Sequence, residues 1–408
     1  MNTAVTPNPW TRVFIPFAVG YFLSYLLRNA NAVISPELRG DLGLTAADLG
    51  LLTSVYLLAF GAFQLPLGIL LDRYGPRRVE AALLLICAIG CALFALGSGM
   101  PQLTLGRALI GLGVSACLMA SFKSFSIWFP VERQASLNAA IMAAGGLGAL
   151  AASSPLGALL PLLGWRGIFL TLAVVTVGVA ALIFTSPEKP GSTQRESLAQ
   201  QLAGLGTIYR SRAFWRYAPQ TTMIVGGFMA LQGLWALPFM MSVNGLTREA
   251  AAFHLLLMAS AMLVGFLLIA FFVRRLAHAG LPPARLLAIG MGCGMAATLG
   301  IVLGIGPSWL LWPALGLVFS VSNLAYALLS AEFPVALAGR VNTALNFGAF
   351  VGAFAIQWLF GVAVDGLQAT GFAADAAYRA SLAGLLVLQL AGWGWFLLGV
   401  THSGRQPG

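Results

Sequence analysis

The amino-acid sequence predicts an all-α membrane protein of twelve transmembrane helices in two pseudo-symmetric six-helix bundles. Three observations lead there. Of the 408 residues, 59% are hydrophobic and only 8% charged, whereas a soluble domain carries about 25% charged residues. The apolar residues fall in long runs, each near the ~20 residues that cross a hydrocarbon core as a helix. One long polar connection, 186–215, divides these runs six and six. Backbone groups in lipid must bond within their own segment, and the alternation of a membrane barrel is absent, so the runs are helices.

In chain order the runs cover 13–36, 47–70, 79–99, 103–127, 136–160, 166–185, 216–241, 249–273, 284–305, 308–331, 339–364 and 376–399. The expected organisation is an N-terminal bundle over 1–185, a cytoplasmic linker over 186–215, a C-terminal bundle over 216–400 and a cytoplasmic tail over 401–408. The first run is interrupted by Tyr, Ser and Arg and is followed by no small-residue cleavage site. It reads as a retained helix rather than a signal peptide. With the N-terminus cytoplasmic, fifteen of the 22 Lys and Arg fall on the inside and four (Arg39, Arg166, Arg248 and Arg379) outside. That asymmetry orients the chain. The net charge of +10 is therefore largely a topology signal, and no basic patch on a folded surface invites nucleic acid.

The first helix carries the most informative stripe. Tyr21, Ser24, Tyr25, Arg28 and Asn31 follow at i, i+3, i+4, i+7 and i+10, which sets them on one face. Arg28 lies about 15 residues, roughly 22 Å, beyond the helix start. A cation facing lipid costs several kcal/mol, so this face is expected to line a bundle interior or an aqueous cavity. A guanidinium fits a carboxylate bidentately, which makes Arg28 a candidate ligand for an anionic solute. The alternative is snorkelling to the outer interface, or pairing with Glu37 or Asp41.

Lys123, near the inner end of helix 4, could meet the solute or snorkel to headgroups. Arg107, sixteen residues earlier, points about 160° away on an ideal helix, so the two do not share one wall. Arg28, Arg107 and Lys123 lie within spans, whereas Asp48, Glu332 and Asp365 sit near helix ends. An interior without acids is expected, and such an interior attracts anions. His254, near the outer end of helix 8, reads as an interfacial residue or a titrating one. Further polar faces occur on helix 7 (Thr221 and Gln232, with Trp235), helix 10 (Ser322, Asn323, Tyr326 and Ser330) and helix 11 (Asn342, Asn346 and Gln357). Gln232, Asn323, Tyr326 and Asn346 join the candidate solute ligands, with interhelical hydrogen bonding as the alternative role. Cys87 and Cys91 share a face without His or carboxylate company and read as packing residues. No metal or cofactor is expected.

The halves also repeat. Phe129-Pro130-Val131 precedes Phe333-Pro334-Val335 by 204 residues. At the same offset Asn138 meets Asn342, Ala140 meets Ala344, Gly148 meets Gly352 and Ala149 meets Ala353. Several matches at one offset indicate an internal repeat, and parallel halves with a midplane solute site are a transporter design. Small residues four apart, Ala144 with Gly148 and Gly348 with Gly352, suit close helix packing.

Residues 68–79, Gly-Ile-Leu-Leu-Asp-Arg-Tyr-Gly-Pro-Arg-Arg-Val, resemble the signature of the major facilitator superfamily between its second and third helices. Gly106-Arg107 with Gly111, Trp128-Phe129-Pro130 with Glu132-Arg133, and Gly164-Trp165-Arg166 with Phe169 are similar to further elements of that superfamily. The stretch Tyr25 to Leu38 and the Gly145–Leu156 region resemble its anion:cation symporter and organic-anion branch. Leu27 stands where many members of that branch carry Asp, and Val114-Ser115-Ala116 where many carry Glu. The resemblance implies the major facilitator fold, with helices 1, 4, 7 and 10 around the cavity. It also implies a gating role for the Asp72 loop with Arg73 and Arg77, and for Arg107.

The expected function is secondary transport of a small organic anion, with a multidrug or metabolite exporter as the alternative. A membrane enzyme would need an intramembrane cluster of His, Asp or Ser with a base, which the sequence does not offer. A coupling proton and a counter-anion both stay open as second partners. The chain is expected to be a monomer, with lipid against its apolar faces, in a bacterial inner membrane with both termini cytoplasmic.

Overall fold

A computed structural model describes residues 8–187, 206–334 and 337–403, and nearly all of them are helical. Most of the expected linker (188–205) and the end of the tail (404–408) lie outside the described residues.

The helices are α1 (Trp10–Leu42), α2 (Ala46–Tyr74), α3 (Pro76–Leu96) and α4 (Met100–Trp128). Next come Val131–Ala151 and Ser154–Phe184. The latter is broken at Gly164, whose φ of 62° and ψ of 169° suit glycine alone. We therefore take α5 as 131–163, with a turn at 152–153, and α6 as 165–184. The second half holds α7 (Arg212–Asn244), α8 (Arg248–His278), α9 (Pro283–Leu303), α10 (Ser308–Ala331), α11 (Ala338–Ala369) and α12 (Ala374–Ser403). Among the described residues, eleven helices are long and apolar enough to cross a membrane. Ser154–Phe184 counts once among them, and its break at Gly164 falls where the sequence separates the fifth run from the sixth.

Local sequence explains the ends. Pro76 and Pro283 stand in the first turns of α3 and α9, where a missing N–H costs nothing. Thr247 Oγ1 accepts the Ala250 N–H to cap α8, and Gly245 and Gly304 close α7 and α9 with positive φ. Besides α5, three of the described helices are interrupted mid-length. α4 breaks over 114–116, α7 contains a π-helical turn at Leu231–Trp235, and α10 breaks at Asn323. In α2, Gln64 Nε2 donates to the Ser115 carbonyl at 3.0 Å, satisfying a group that the α4 break exposes.

The chain forms two compact units. Unit 1 holds Met1–Ala30 and Leu58–Arg195, and unit 2 holds Asn31–Leu57 and Glu196–Gly408, so α1 and α2 each contribute to both. Within unit 1, α3 and α4 meet backbone to backbone. A Cβ on Gly90 would lie 2.8 Å from the Gly106 carbonyl oxygen, and one on Gly106 would lie 2.9 Å from the Phe94 nitrogen. Within unit 2, a Cβ on Gly226 would lie 2.7 Å from the Ala353 nitrogen, bringing α7 against α11. The start of α2 is held by α11: Asp365 accepts from Ala46 N at 3.1 Å and from Ala47 N at 2.6 Å. Glu37 pairs with Arg248.

Candidate solute site

In unit 1 the α1 stripe turns inward. Tyr21 is buried and its ring meets Tyr25 edge-on at 5.1 Å. Room for both rings comes from α5. A Cβ on Gly145 would lie 2.6 Å from Tyr21 Cε1 and 3.1 Å from Tyr25 Cδ2, while Gly148 abuts the Phe22 carbonyl. Met142 on the same helix lies 3.9 Å from the Tyr21 hydroxyl. Arg28 is half-buried, its guanidinium carbon 4.6 Å from the Tyr25 ring centre and 4.9 Å from that of Phe60 on α2. Cation–π contact uses the guanidinium face. The N–H groups lie in its plane, which is the edge that meets a carboxylate. Glu37, weighed above as a partner for Arg28, is the partner of Arg248.

Arg107 is fully buried and donates from Nη1 to the Leu27 carbonyl at 3.2 Å. It thus steadies α1 at the residue before Arg28. Asn31 leaves this group: it is buried in unit 2 and donates to Thr53 Oγ1 at 3.1 Å. Lys123 is half-buried on the second piece of α4. Arg77 donates to the Ser186 carbonyl at 3.0 Å, a cation at the C-terminal end of α6. Arg73 is exposed, 5.2 Å from the Tyr74 ring. The Asp72 side chain lies outside the described residues.

Unit 2 offers a neutral polar face. Tyr326 on α10 donates to Asn346 Oδ1 on α11 at 3.1 Å, and Ser330 donates to Asn342 Oδ1 at 2.7 Å. Asn323 is exposed at the α10 break, and Gln232 is half-buried within the π-helical turn of α7, a feature frequent at functional sites. Trp235, in the same turn, is fully buried and donates to the Gln357 carbonyl at 2.9 Å. His254 bridges the Ala250 carbonyl at 2.7 Å and Ser308 Oγ at 3.2 Å.

One expectation is overturned. The interior is not free of acids: Glu80 is fully buried in α3. The sequence places the start of helix 3 at 79, which made Glu80 an end residue. The helix instead begins at Pro76, and Gly20 of α1 lies against the carboxyl group. The available signal was a lone acid adjoining a run of very high hydropathy. Phe60 and Gly145 were missed for another reason, since an aromatic or a glycine in an apolar span carries no mark of its partner.

Comparison with known proteins settles the family. The profile described as "Major Facilitator Superfamily" matches residues 17–356. The chain belongs to the major facilitator superfamily. A bacterial homolog of the human lysosomal transporter Spinster, solved in an inward-facing and occupied conformation, superposes with a TM-score of 0.76 at 17% identity, covering 98% of this chain and 99% of that one. The chain therefore has the major facilitator fold. By family it is a transporter rather than an enzyme, and a multi-pass membrane protein. It is 31% identical over 158 residues to an Escherichia coli K12 protein described as "Probable L-galactonate transporter", covering 39% of this chain and 35% of that protein. It is 27% identical over 187 residues to a "Probable sulfoacetate transporter" of Cupriavidus necator, covering 46% and 43%. The chain thus matches less than half the length of these curated relatives.

Proposed function

We propose that this superfamily member carries a small organic anion across the membrane by alternating access, with Arg28 as the anion's ligand. The observation that carries the reading is a half-buried guanidinium in the middle of a membrane-spanning helix, flanked by Tyr25 and Phe60 and steadied by Arg107 one residue away. Holding a cation at that depth is costly unless it serves a pathway or a solute. The solutes named for the two curated relatives, L-galactonate and sulfoacetate, are acid anions, which supports the same class here. Tyr21 and Tyr25 fix the approach to Arg28, and Lys123 adds positive potential. Within unit 2, Gln232, Asn323, Tyr326 and Asn346 offer neutral donors and acceptors of the kind that suit solute hydroxyl groups. The charge asymmetry of the loops supports a bacterial inner membrane with both termini cytoplasmic. The Asp72 loop, with Arg73 and Arg77, serves as the cytoplasmic gate.

The test is uptake of a labelled aldonate or uronate by purified protein in liposomes. Arg28→Gln should lower uptake about 100-fold or more, the scale of removing one partner of a buried charge pair, while the protein still inserts and unfolds at a wild-type temperature. Arg28→Lys should recover part of the loss, because it restores charge without the planar fork. Wild-type uptake by Arg28→Gln at unchanged affinity rejects the assignment.

A further inference from the structure

We infer that the start of α7 and the end of α12, both in unit 2, form a binding site for the phosphate headgroup of an anionic phospholipid; this is independent of the anion reading at Arg28. The chain entering α7 runs Tyr209-Arg210-Ser211-Arg212-Ala213-Phe214-Trp215, with two arginines and no acid. Ile208 belongs to a buried cluster with Phe214, Tyr217 and Phe396, which plants the turn before the helix. Ser211 N donates to the Ile208 carbonyl at 3.0 Å, and Ser211 Oγ accepts the Ala213 N–H at 3.2 Å. Arg210 and Arg212 therefore project from a fixed turn, and both are exposed. Among the described residues neither takes part in an ion pair. Arg216, one turn on, lies instead over the Tyr217 and Phe396 rings, at 5.5 and 5.7 Å. Glu332, just past the end of α10, is the acid whose charge reaches Tyr217 beside it.

Two indoles join this turn to the lipid-facing side. Trp215 Nε1 donates to the Tyr209 carbonyl at 2.7 Å, and Trp395 Nε1 donates to the Trp215 carbonyl at 2.8 Å. These bonds run from α12 to α7 and on to the turn, and they leave both indole rings at least half exposed. An indole with its N–H satisfied and its ring uncovered suits the boundary between hydrocarbon and headgroup. Trp395 also ends a stripe on α12: Leu388, Ala391 and Trp395 fall at i, i+3 and i+7, and all three are exposed. Apolar stripe, aromatic rim and paired guanidiniums thus follow one another, which is the order of acyl chain, interface and phosphate in a phospholipid.

The phosphate has a place to sit. Gly206, Thr207, Arg210 and Ser211 surround an open recess, which offers two hydroxyls and a guanidinium. A free phosphate could use those groups but has no use for the exposed rings beside them, whereas a lipid uses both. The arrangement is particular to the second half. At the repeat offset of 204, Arg210, Arg212 and Trp215 correspond to Thr6, Asn8 and Thr11, which carry neither the charge nor the ring. On the orientation drawn from loop charge, this end of α7 faces the cytoplasm, where basic side chains meet anionic headgroups.

The test titrates the full chain in neutral detergent with phosphatidylglycerol, phosphatidylcholine or inorganic phosphate and reads the unfolding temperature. Phosphatidylglycerol should raise it in wild type, phosphatidylcholine should raise it less, and inorganic phosphate should leave it unmoved. The double variant Arg210→Gln, Arg212→Gln should bind phosphatidylglycerol about 25-fold more weakly, roughly fivefold per arginine. Lysine at both positions should keep most of the affinity, since the charge remains. The control pair Arg275→Gln, Arg285→Gln removes the same charge from exposed residues elsewhere in unit 2 and should bind as wild type does. Phosphatidylglycerol brominated on its acyl chains should also quench tryptophan emission more in wild type than in the Arg210, Arg212 variant, because the seated lipid lies beside Trp215 and Trp395. Equal stabilisation by the two lipids, an unchanged titration in the Arg210, Arg212 variant, or an equal loss in the control pair overturns the site. A full shift produced by inorganic phosphate alone overturns the lipid as its occupant.

Discussion

Glu80 and Asp365 are both carboxylates within helices long enough to span a membrane, and the two units treat them in opposite ways. Asp365 in unit 2 sits at the N-terminus of α2 and receives two backbone N–H groups, from Ala46 and Ala47. Those are donors that the helix cannot satisfy internally, and the helix dipole favours a negative charge beside them. Glu80 in unit 1 has a glycine, an isoleucine and a thiol for company. The first site supplies an anion with donors, and the second offers its carboxyl no N–H or O–H donor. An acid within a span therefore reports nothing by itself; the donors around it decide whether its charge is satisfied.

That contrast can be broken by substitution. The largest effect is expected at Gly361, where an added Cβ would run into the Ala46 carbonyl and neighbouring backbone. Gly361→Leu should force the end of α11 away from α2, costing about 3 kcal/mol or more, on the scale of severe overpacking, read as a fall in unfolding temperature of the purified protein. Next comes Asp365→Asn, which keeps the shape but loses the charge and one acceptor. Charge-assisted bonds contribute about 1.5–3 kcal/mol, so a loss of about 2 kcal/mol is expected at neutral pH. An unchanged unfolding temperature there would show that the α2 cap is not a stabilising feature. The smallest effect is expected for the same chemical change at Glu80. Glu80→Gln replaces a buried carboxyl without donors by an amide of the same shape, and stability should move by less than about 1 kcal/mol. A loss of 3–5 kcal/mol, the usual cost of breaking a buried ion pair, would mean that Glu80 is ionised and paired.

Arg28 and Arg107 make a second pairing of like residues with unlike settings. Arg107 is enclosed and tied to the α1 backbone, whereas Arg28 is half-buried between rings. Truncation of Arg107 should lower stability first, and truncation of Arg28 should lower transport first.

Much of the architecture was legible in the sequence because it depends on local regularities. Run length set the spans, and Gly164-Trp165 separated the fifth run from the sixth where the chain turns. The i, i+3, i+4, i+7 spacing placed Tyr21, Tyr25 and Arg28 on one face because 3.6 residues per turn is a property of any helix. The loop at 68–79 identified the superfamily. The same spacing put Asn31 on that stripe, yet Asn31 bonds to Thr53. Helical phase says which way a side chain points and not which neighbour waits there.

Partners were the part that only the tertiary structure decided. Gly20 opens space for a carboxyl 60 positions away, Gly145 seats rings 120 or more positions earlier, and Asp365 caps a helix that begins 319 residues before it. None of these pairings leaves a periodic trace, because each joins helices whose sequences are patterned independently. Hydropathy and periodicity therefore determine that a residue is enclosed within a bundle. Whether an enclosed polar group finds a donor, a ring or an empty niche depends on which helix packs against it, and that decides the charge it can carry.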